Sequence, residues 1–308
     1  MSAPIFQMPA LAFGTPRRLP KASELTGRVI VLDVAFAGVG DKGFEKITLP
    51  FIDGLGDRLK AWVDHHDHEE HARFAGDPRF VLTSKAIHGA CPELIDPPLV
   101  QRIGSYETIC CHTDFDGLAS AAKWIRQGIE PYEGCDADAR AIDTRLGVPS
   151  PVAAMVDRAL RARPRDRGLF GLVVRHLTLG LADRGLEREI ERISREMEPI
   201  EKETRRVALR FQRLVGGVAA IDITGQGSLV DKTLLLLLGQ ELEPVSLVLD
   251  RDTVSVAARF DSGFNFLQLF GLSGGMPTRV ALPRQRLPQI LLALGAEPSS
   301  FSPGTVGK

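Results

Sequence analysis

His112, Asp114 and Asp116 stand at alternate positions in residues 109–122, ICCHTDFDGLASAA. In an extended chain alternate side chains share a face, so one imidazole and two carboxylates are aimed the same way. That donor set suits a divalent ion such as Mn²⁺, Mg²⁺, Fe²⁺ or Zn²⁺. The same residues admit a plainer role, with Asp116-Gly117 as a turn and Asp114 or Asp116 as a helix cap. A second cluster favours the metal. Asp64-His65-His66-Asp67-His68 is followed by Glu69, Glu70 and His71, and six of the seven histidines lie between positions 65 and 112. The alternative there is a solvated, charged helix start, and solvated positions are expected for Asp67 and His68.

Both clusters need rigid elements behind them, and each follows a short apolar run: Ala61-Trp62-Val63 before the first, Ile109-Cys110-Cys111 before the second. A third run, residues 27–33 (GRVIVLD), is continuous and β-branched, as in a strand buried on both faces, and it too ends in an acid, Asp33. Three parallel strands whose C-terminal ends meet at one crevice form an α/β sheet with its ligands where such sheets place them. The glycines of residues 34–44 (VAFAGVGDKGF) suit a loop over that crevice. A small-residue helix is expected over about residues 118–127, a helix interrupted by Pro92 over 86–95, and a further strand over 130–135. Asp143 is either a ligand or a helix cap, Arg145 is a candidate phosphate contact, and Asp136 and Asp138 are expected to be solvated. His88 is a surface histidine or a neighbour of the site.

Further along, residues 152–214 are helical in pattern and strongly charged, with residues 186–211 expected as one linker helix kinked at Pro199. The basic run at residues 158–167 is a solvated face or the border of an anionic channel. Strands return from Gly216: VAAIDI, TLLLLLG, and a hairpin of VSLVLD and TVSVAARF turning at Asp250-Arg251-Asp252. A short helix over residues 264–270 precedes the glycine-rich residues 271–277, whose exposed N–H groups can cradle a phosphate.

Composition bounds the partners. The chain has 308 residues, is 44% hydrophobic and 25% charged, and carries a formal net charge of −1, so a polyanion would need a local patch. No apolar run approaches the ~20 residues that span a bilayer. Near the N-terminus Arg and Lys follow the apolar part, the reverse of a secretory signal, so a cytoplasmic location is expected. The four cysteines do not make a disulfide framework for this length. Cys110 and Cys111 read as core residues, with a soft-metal site as the rival. The expected organisation is α/β: a tail (1–26), a parallel-sheet catalytic domain (27–185), a helical linker (186–215) and a smaller α/β C-terminal domain (216–308).

Over residues 28–145 and 216–283 the chain resembles the DHH phosphoesterase family. Asp64-His65-His66 after an apolar strand is similar to the name-giving motif. His112-Thr113-Asp114-Phe115-Asp116-Gly117 is similar to the HxDxDG motif, and Asp33 to a lone acid of a further motif. Arg259 and residues 271–277 resemble the DHH-associated domain, with Met276 where the family loop usually has histidine. The motif order is permuted, since the HxDxDG motif usually comes first.

The resemblance implies hydrolysis of a phosphoester by two divalent ions, Mn²⁺ foremost. His112 and Asp114 would serve one ion, Asp116 and His65 the other, with Asp33 bridging and Asp143 completing the set. Asp64 would orient His65, His66 would face the phosphate, and Arg259, Gly274 and Gly275 would hold the substrate. The expected substrate is a small nucleotide, a cyclic dinucleotide or a short oligonucleotide, with no membrane partner and a homodimer left open. The alternatives are a pyrophosphatase or polyphosphatase, and a non-catalytic nucleotide sensor.

Overall fold

In the computed structural model, which describes residues 8–38 and 43–301, the run Val29–Leu32 lies at the centre of a five-stranded sheet. The order across it is Ala10–Phe13, Thr108–Cys111, Val29–Leu32, Leu59–Asp64 and Phe80–Leu82, and every neighbouring pair is parallel. Val29, Ile30, Val31 and Leu32 are all buried, as a strand covered on both faces requires. Ile30, Leu32, Ile109 and Cys111 pack into one core with the helix Phe115–Ile125, while Val29, Val31 and Cys110 join Phe51 and Trp62 on the other face. Cys110 and Cys111 thus alternate between two cores, and both are free thiols.

The chain runs outward from Val29–Leu32 through the next two strands, then returns to the other side with Thr108–Cys111. The switch point therefore lies between Leu32 and Cys111, and Asp33 and His112 are the residues that follow those two ends. Helix Phe115–Ile125 is buried all round, and Ala119, Ser120, Ala121 and Ala122 keep it narrow enough to sit between the sheet and the helix Arg167–Thr178.

Contacts divide the chain into two units, Met1–Glu196 and Met197–Lys308. The division falls inside the expected linker helix, which is two helices, Arg184–Ser194 and Met197–Ala208. Ile190 and Ile193 belong to the core of the first unit and Val207 to that of the second, so each half is held by its own domain. Pro199 sits in the first turn of its helix, where a missing N–H costs nothing, and in place of a kink the run is broken at residues 195–196, where the proline would clash with the preceding turn. The second unit holds a mixed sheet in the order Arg279–Pro283, Thr253–Ala258, Val245–Asp250, Val218–Asp222, Gln212–Leu214, including the expected hairpin.

Other expectations are corrected. TLLLLLG is not a strand but the helix Lys232–Gln240, because leucine lacks the β-branching that disfavours helix and Asp231 caps the first turn through the Thr233 N–H. Residues 130–135 form no strand: Pro131 and the left-handed Gly134 make a turn that opens the helix Cys135–Thr144. Residues 86–95 hold only a short 3-10 turn, Cys91–Leu94. Residues 1–26 read from the sequence as a tail or an edge segment, and Ala10–Phe13 within them is an edge strand. Residues 39–42 of the expected glycine loop lie outside the described residues. No helix among the described residues is long and apolar enough to cross a membrane.

One buried group makes stability depend on pH. His176, on Arg167–Thr178, is fully buried and neither ring nitrogen has a hydrogen-bond partner among the described residues. Burial lowers its pKa, and the nearby Arg184 adds to this, against the raising influence of Glu187 and Asp183. The unfolded ring therefore takes up a proton first, at about pH 6.5. The stability His176 permits is present above that pH and is lost as pH falls below it towards the folded value. Wild type is expected to lose up to about 1.4 kcal/mol per pH unit relative to His176→Leu between pH 6.5 and 5. Urea denaturation of both proteins at pH 7.5 and 5 checks this, and parallel losses would contradict it.

Candidate metal centre

The three inner strands deliver their last residues to one point. Asp33 follows Val29–Leu32 with a φ of 58°, a left-handed conformation tolerable for Asp and held by its N–H to the Val63 carbonyl (2.9 Å). His65 and His66 follow Leu59–Asp64, and His112 follows Thr108–Cys111, its N–H on the Leu32 carbonyl. Asp114 caps the helix Phe115–Ile125 by accepting from the Gly117 N–H (3.1 Å), and its other oxygen lies 2.9 Å from His112 Nδ1. It is thus both the cap and a donor atom at the site.

Three overlapping groups of donors result: Asp33, His65 and His66; Asp33, His112 and Asp114; and His65, Asp116 and Asp143. His65 Nε2 lies 3.2 Å from Asp33 Oδ1, 3.2 Å from Asp116 Oδ2 and 3.8 Å from Asp143 Oδ2. Its Nδ1 is 2.9 Å from the His88 carbonyl oxygen, which can only accept, so Nδ1 carries a proton and Nε2 faces the acids. Asp116 is fixed in turn by the Cys91 N–H, at 3.0 and 3.2 Å from its two oxygens.

These residues fit a divalent cation on grounds internal to the structure. Among the described residues, both buried oxygens of Asp33, one oxygen of Asp64 and Nδ1 of His112 have no hydrogen-bond partner. They approach neighbours closely but without hydrogen-bond alignment, as groups do when they aim at a common cation. Burial, then the charges of Asp116 and Asp114, pushes the Asp33 pKa well above the carboxylate range. Burial together with Asp143 and Asp114 lifts Asp116 to about 6, against the pull of His65. For His112, burial works downward but is outweighed by Asp114, Asp33 and Asp116, which push it up to about 9. Burial and Lys85 likewise work downward on His65, and Asp116 and Asp33 override them, to about 11. Asp33 and Asp116 are thus short of positive charge, whereas burial is outweighed at Asp114 by His112, and at Asp143 by Lys85 and His65, which hold both below the usual carboxylate range.

The other expected residues have partners of their own, and three of them differ from expectation: Asp64, His68 and Asp138. Asp64 does not orient His65: its Oδ1 is 2.8 Å from His66 Nδ1. Burial, then Lys85, lowers the His66 pKa to about 4. His68 is not solvated but buried, its ring edge-on to Phe36 at 5.6 Å. Asp138 is buried too, accepting from the Ser150 N–H and the Tyr132 hydroxyl, while Asp136 accepts from Lys123. Arg145 ends the helix Cys135–Thr144 and lies 3.6 Å from Asp157. Arg259, Gly274 and Gly275 belong to the second unit, where Arg259 is exposed and paired with Asp261.

Lys85 was not anticipated. It is 1% exposed, with Nζ 3.2 Å from His65 Nε2 and bonded to Asp143. The available signal was the apolar run Phe80–Leu82, a fourth strand end three residues before it, too short to be distinguished from loop in the sequence.

Neither family models nor curated proteins give a match to this chain. Among solved structures, it is similar to a pGpG-specific phosphodiesterase, PggH from Vibrio cholerae, at 11% identity. That alignment covers 87% of this chain and 97% of the other, with a TM-score of 0.39.

Proposed function

We propose that this chain is a divalent-metal-dependent phosphoesterase of the DHH type, acting on a small nucleotide, a cyclic dinucleotide or a short oligonucleotide, with Mn²⁺ as the ion. The observation that carries it is the buried, unpartnered carboxylate of Asp33, set among His65, His112, Asp114 and Asp116 at the ends of parallel strands. Divalent ions supply Lewis acidity, which makes water nucleophilic at neutral pH and offsets charge on phosphoryl oxygens. Asp33, His112 and Asp114 would hold one ion, and His65, Asp116 and Asp143, with Asp33 shared, are the donors for a second.

The chain's own acid–base group in this reading is His66. A buried Asp64 carboxylate, its pKa lowered, accepts a hydrogen bond from Nδ1–H, which leaves the Nε2 lone pair free on a ring that is 18% exposed. Nε2 can then accept a proton from the attacking water and return it to the leaving oxygen.

The test uses chelated protein with and without Mn²⁺ on bis-p-nitrophenyl phosphate, p-nitrophenyl phosphate, pyrophosphate and a short RNA, with Asp114→Ala as control. Mn²⁺-dependent hydrolysis reduced by about 10²-fold or more in the variant is expected. Preference for pyrophosphate would move the substrate class to inorganic phosphates. Silence on all four, with metal bound, would favour a sensor.

A further inference from the structure

Lys85 lies among the donors of the third group. Its Nζ is bonded to Asp143 and is 3.2 Å from His65 Nε2, and those two residues with Asp116 are the group that would otherwise hold the second ion. The side chain is held there from its own backbone. Thr83 N–H bonds the Asp64 carbonyl (3.1 Å), the Lys85 N–H reaches Asp67 Oδ2 (3.4 Å), and Ile87 and His88 turn back onto the Ser84 carbonyl. A lysine with 1% exposure is tolerated only when its charge is paired, and the carboxylate that pairs it here, Asp143, is a donor of the metal group.

An ammonium and a divalent ion compete for the same carboxylate and the same imidazole lone pair. Both cannot lie among His65, Asp116 and Asp143, since each needs to approach within bonding distance of the same atoms. Among the described residues no lysine or arginine pairs with the donors on the other side of Asp33, where His112 Nδ1 and both Asp33 oxygens make no aligned hydrogen bond.

We infer that Lys85 is a built-in cation standing in for the second divalent ion, so that the chain takes one ion, at Asp33, His112 and Asp114. The inference rests on the metal-dependent function proposed above and concerns how many ions that function uses. Lys85 acts as a positioning residue. It neutralises Asp143 and Asp116, keeps His65 in place beneath Asp33, and leaves Asp33 to serve a single ion.

The experiment counts metal. Chelated wild type, Lys85→Met and Lys85→Gln are equilibrated with Mn²⁺, desalted and assayed for manganese per chain, with circular dichroism to confirm folding. Wild type is expected to hold about one ion, and the neutral variants, with the group open, about two. The Mn²⁺ electron paramagnetic resonance signal should pass from an isolated six-line spectrum in wild type to an exchange-coupled one in the variants. Two ions in wild type would overturn the inference, because Lys85 would then give way to metal. A folded Lys85→Met that still holds one ion would overturn it as well. No bound manganese in wild type would instead overturn the metal-dependent function itself. Should neither variant fold, the wild-type spectrum at two equivalents of Mn²⁺ decides: isolated six-line with the second equivalent free supports the inference, exchange coupling overturns it.

Discussion

Asp33→Asn is expected to make the metal-free protein more stable and to abolish its response to Mn²⁺. The two effects have opposite signs and one cause. Asp33 is 1% exposed, both its oxygens lack hydrogen-bond partners, and burial with the charges of Asp116 and Asp114 penalises its ionised form. An unsatisfied buried charge of this kind costs about 1–3 kcal/mol or more, and a neutral amide removes most of that cost. Asparagine also keeps the side chain's size and tolerates the φ of 58° that Asp33 adopts, so no new backbone strain enters. In chelator, urea denaturation should place the variant about 1–3 kcal/mol above wild type. With Mn²⁺ at a hundred times its dissociation constant, wild type should gain about 2.7 kcal/mol while the variant gains nothing. Hydrolysis should fall by about 10²–10³-fold or more, since Asp33 belongs to two of the three donor groups. A variant less stable in chelator that keeps its Mn²⁺ shift would mean that Asp33 is a structural residue.

What the sequence made legible was the part written in strand ends. Val29–Leu32, Leu59–Asp64 and Thr108–Cys111 are apolar runs closed by ligand-type residues, and a parallel sheet leaves such residues no other destination than its C-terminal edge. The structure brings Asp33, His65, His66, His112, Asp114, Asp116 and Asp143 into the three donor groups at that edge. Less legible was which partner each group takes. That Asp64 holds His66, while the His88 carbonyl holds His65, depends on where adjacent side chains point after the strand ends, and sequence spacing does not encode this. Lys85 was invisible because a lone lysine after a three-residue strand looks like any surface lysine, and only burial reveals it. The helix Lys232–Gln240 reads as a strand because a run of leucines carries no period, and its N-cap Asp231 is the decisive local signal.

Gly117→Ala should separate packing from helix propensity by the sign of its effect. Gly117 is the third residue of the helix Phe115–Ile125, where alanine would ordinarily stabilise by about 1 kcal/mol. Here a Cβ would lie 2.7 Å from the His112 carbonyl oxygen and 2.8 Å from its carbonyl carbon and Cβ, closer than real contacts allow. None of these atoms is the free end of a flexible chain. They belong to the backbone and the side-chain root of His112, itself tied to the Leu32 carbonyl (3.2 Å). The helix start must therefore move away from His112, and it carries Asp114 and Asp116 with it, because the Gly117 N–H is the group Asp114 caps. Overpacking of this kind costs about 1–3 kcal/mol, enough to reverse the gain from propensity. A shift approaching 1 Å between His112 and the two acids should lower hydrolysis by about 10²-fold. Urea denaturation and Mn²⁺ titration of the same preparation give both readouts. A Gly117→Ala protein that is more stable than wild type and binds Mn²⁺ unchanged would show that the close approach of this helix to His112 does not shape the site.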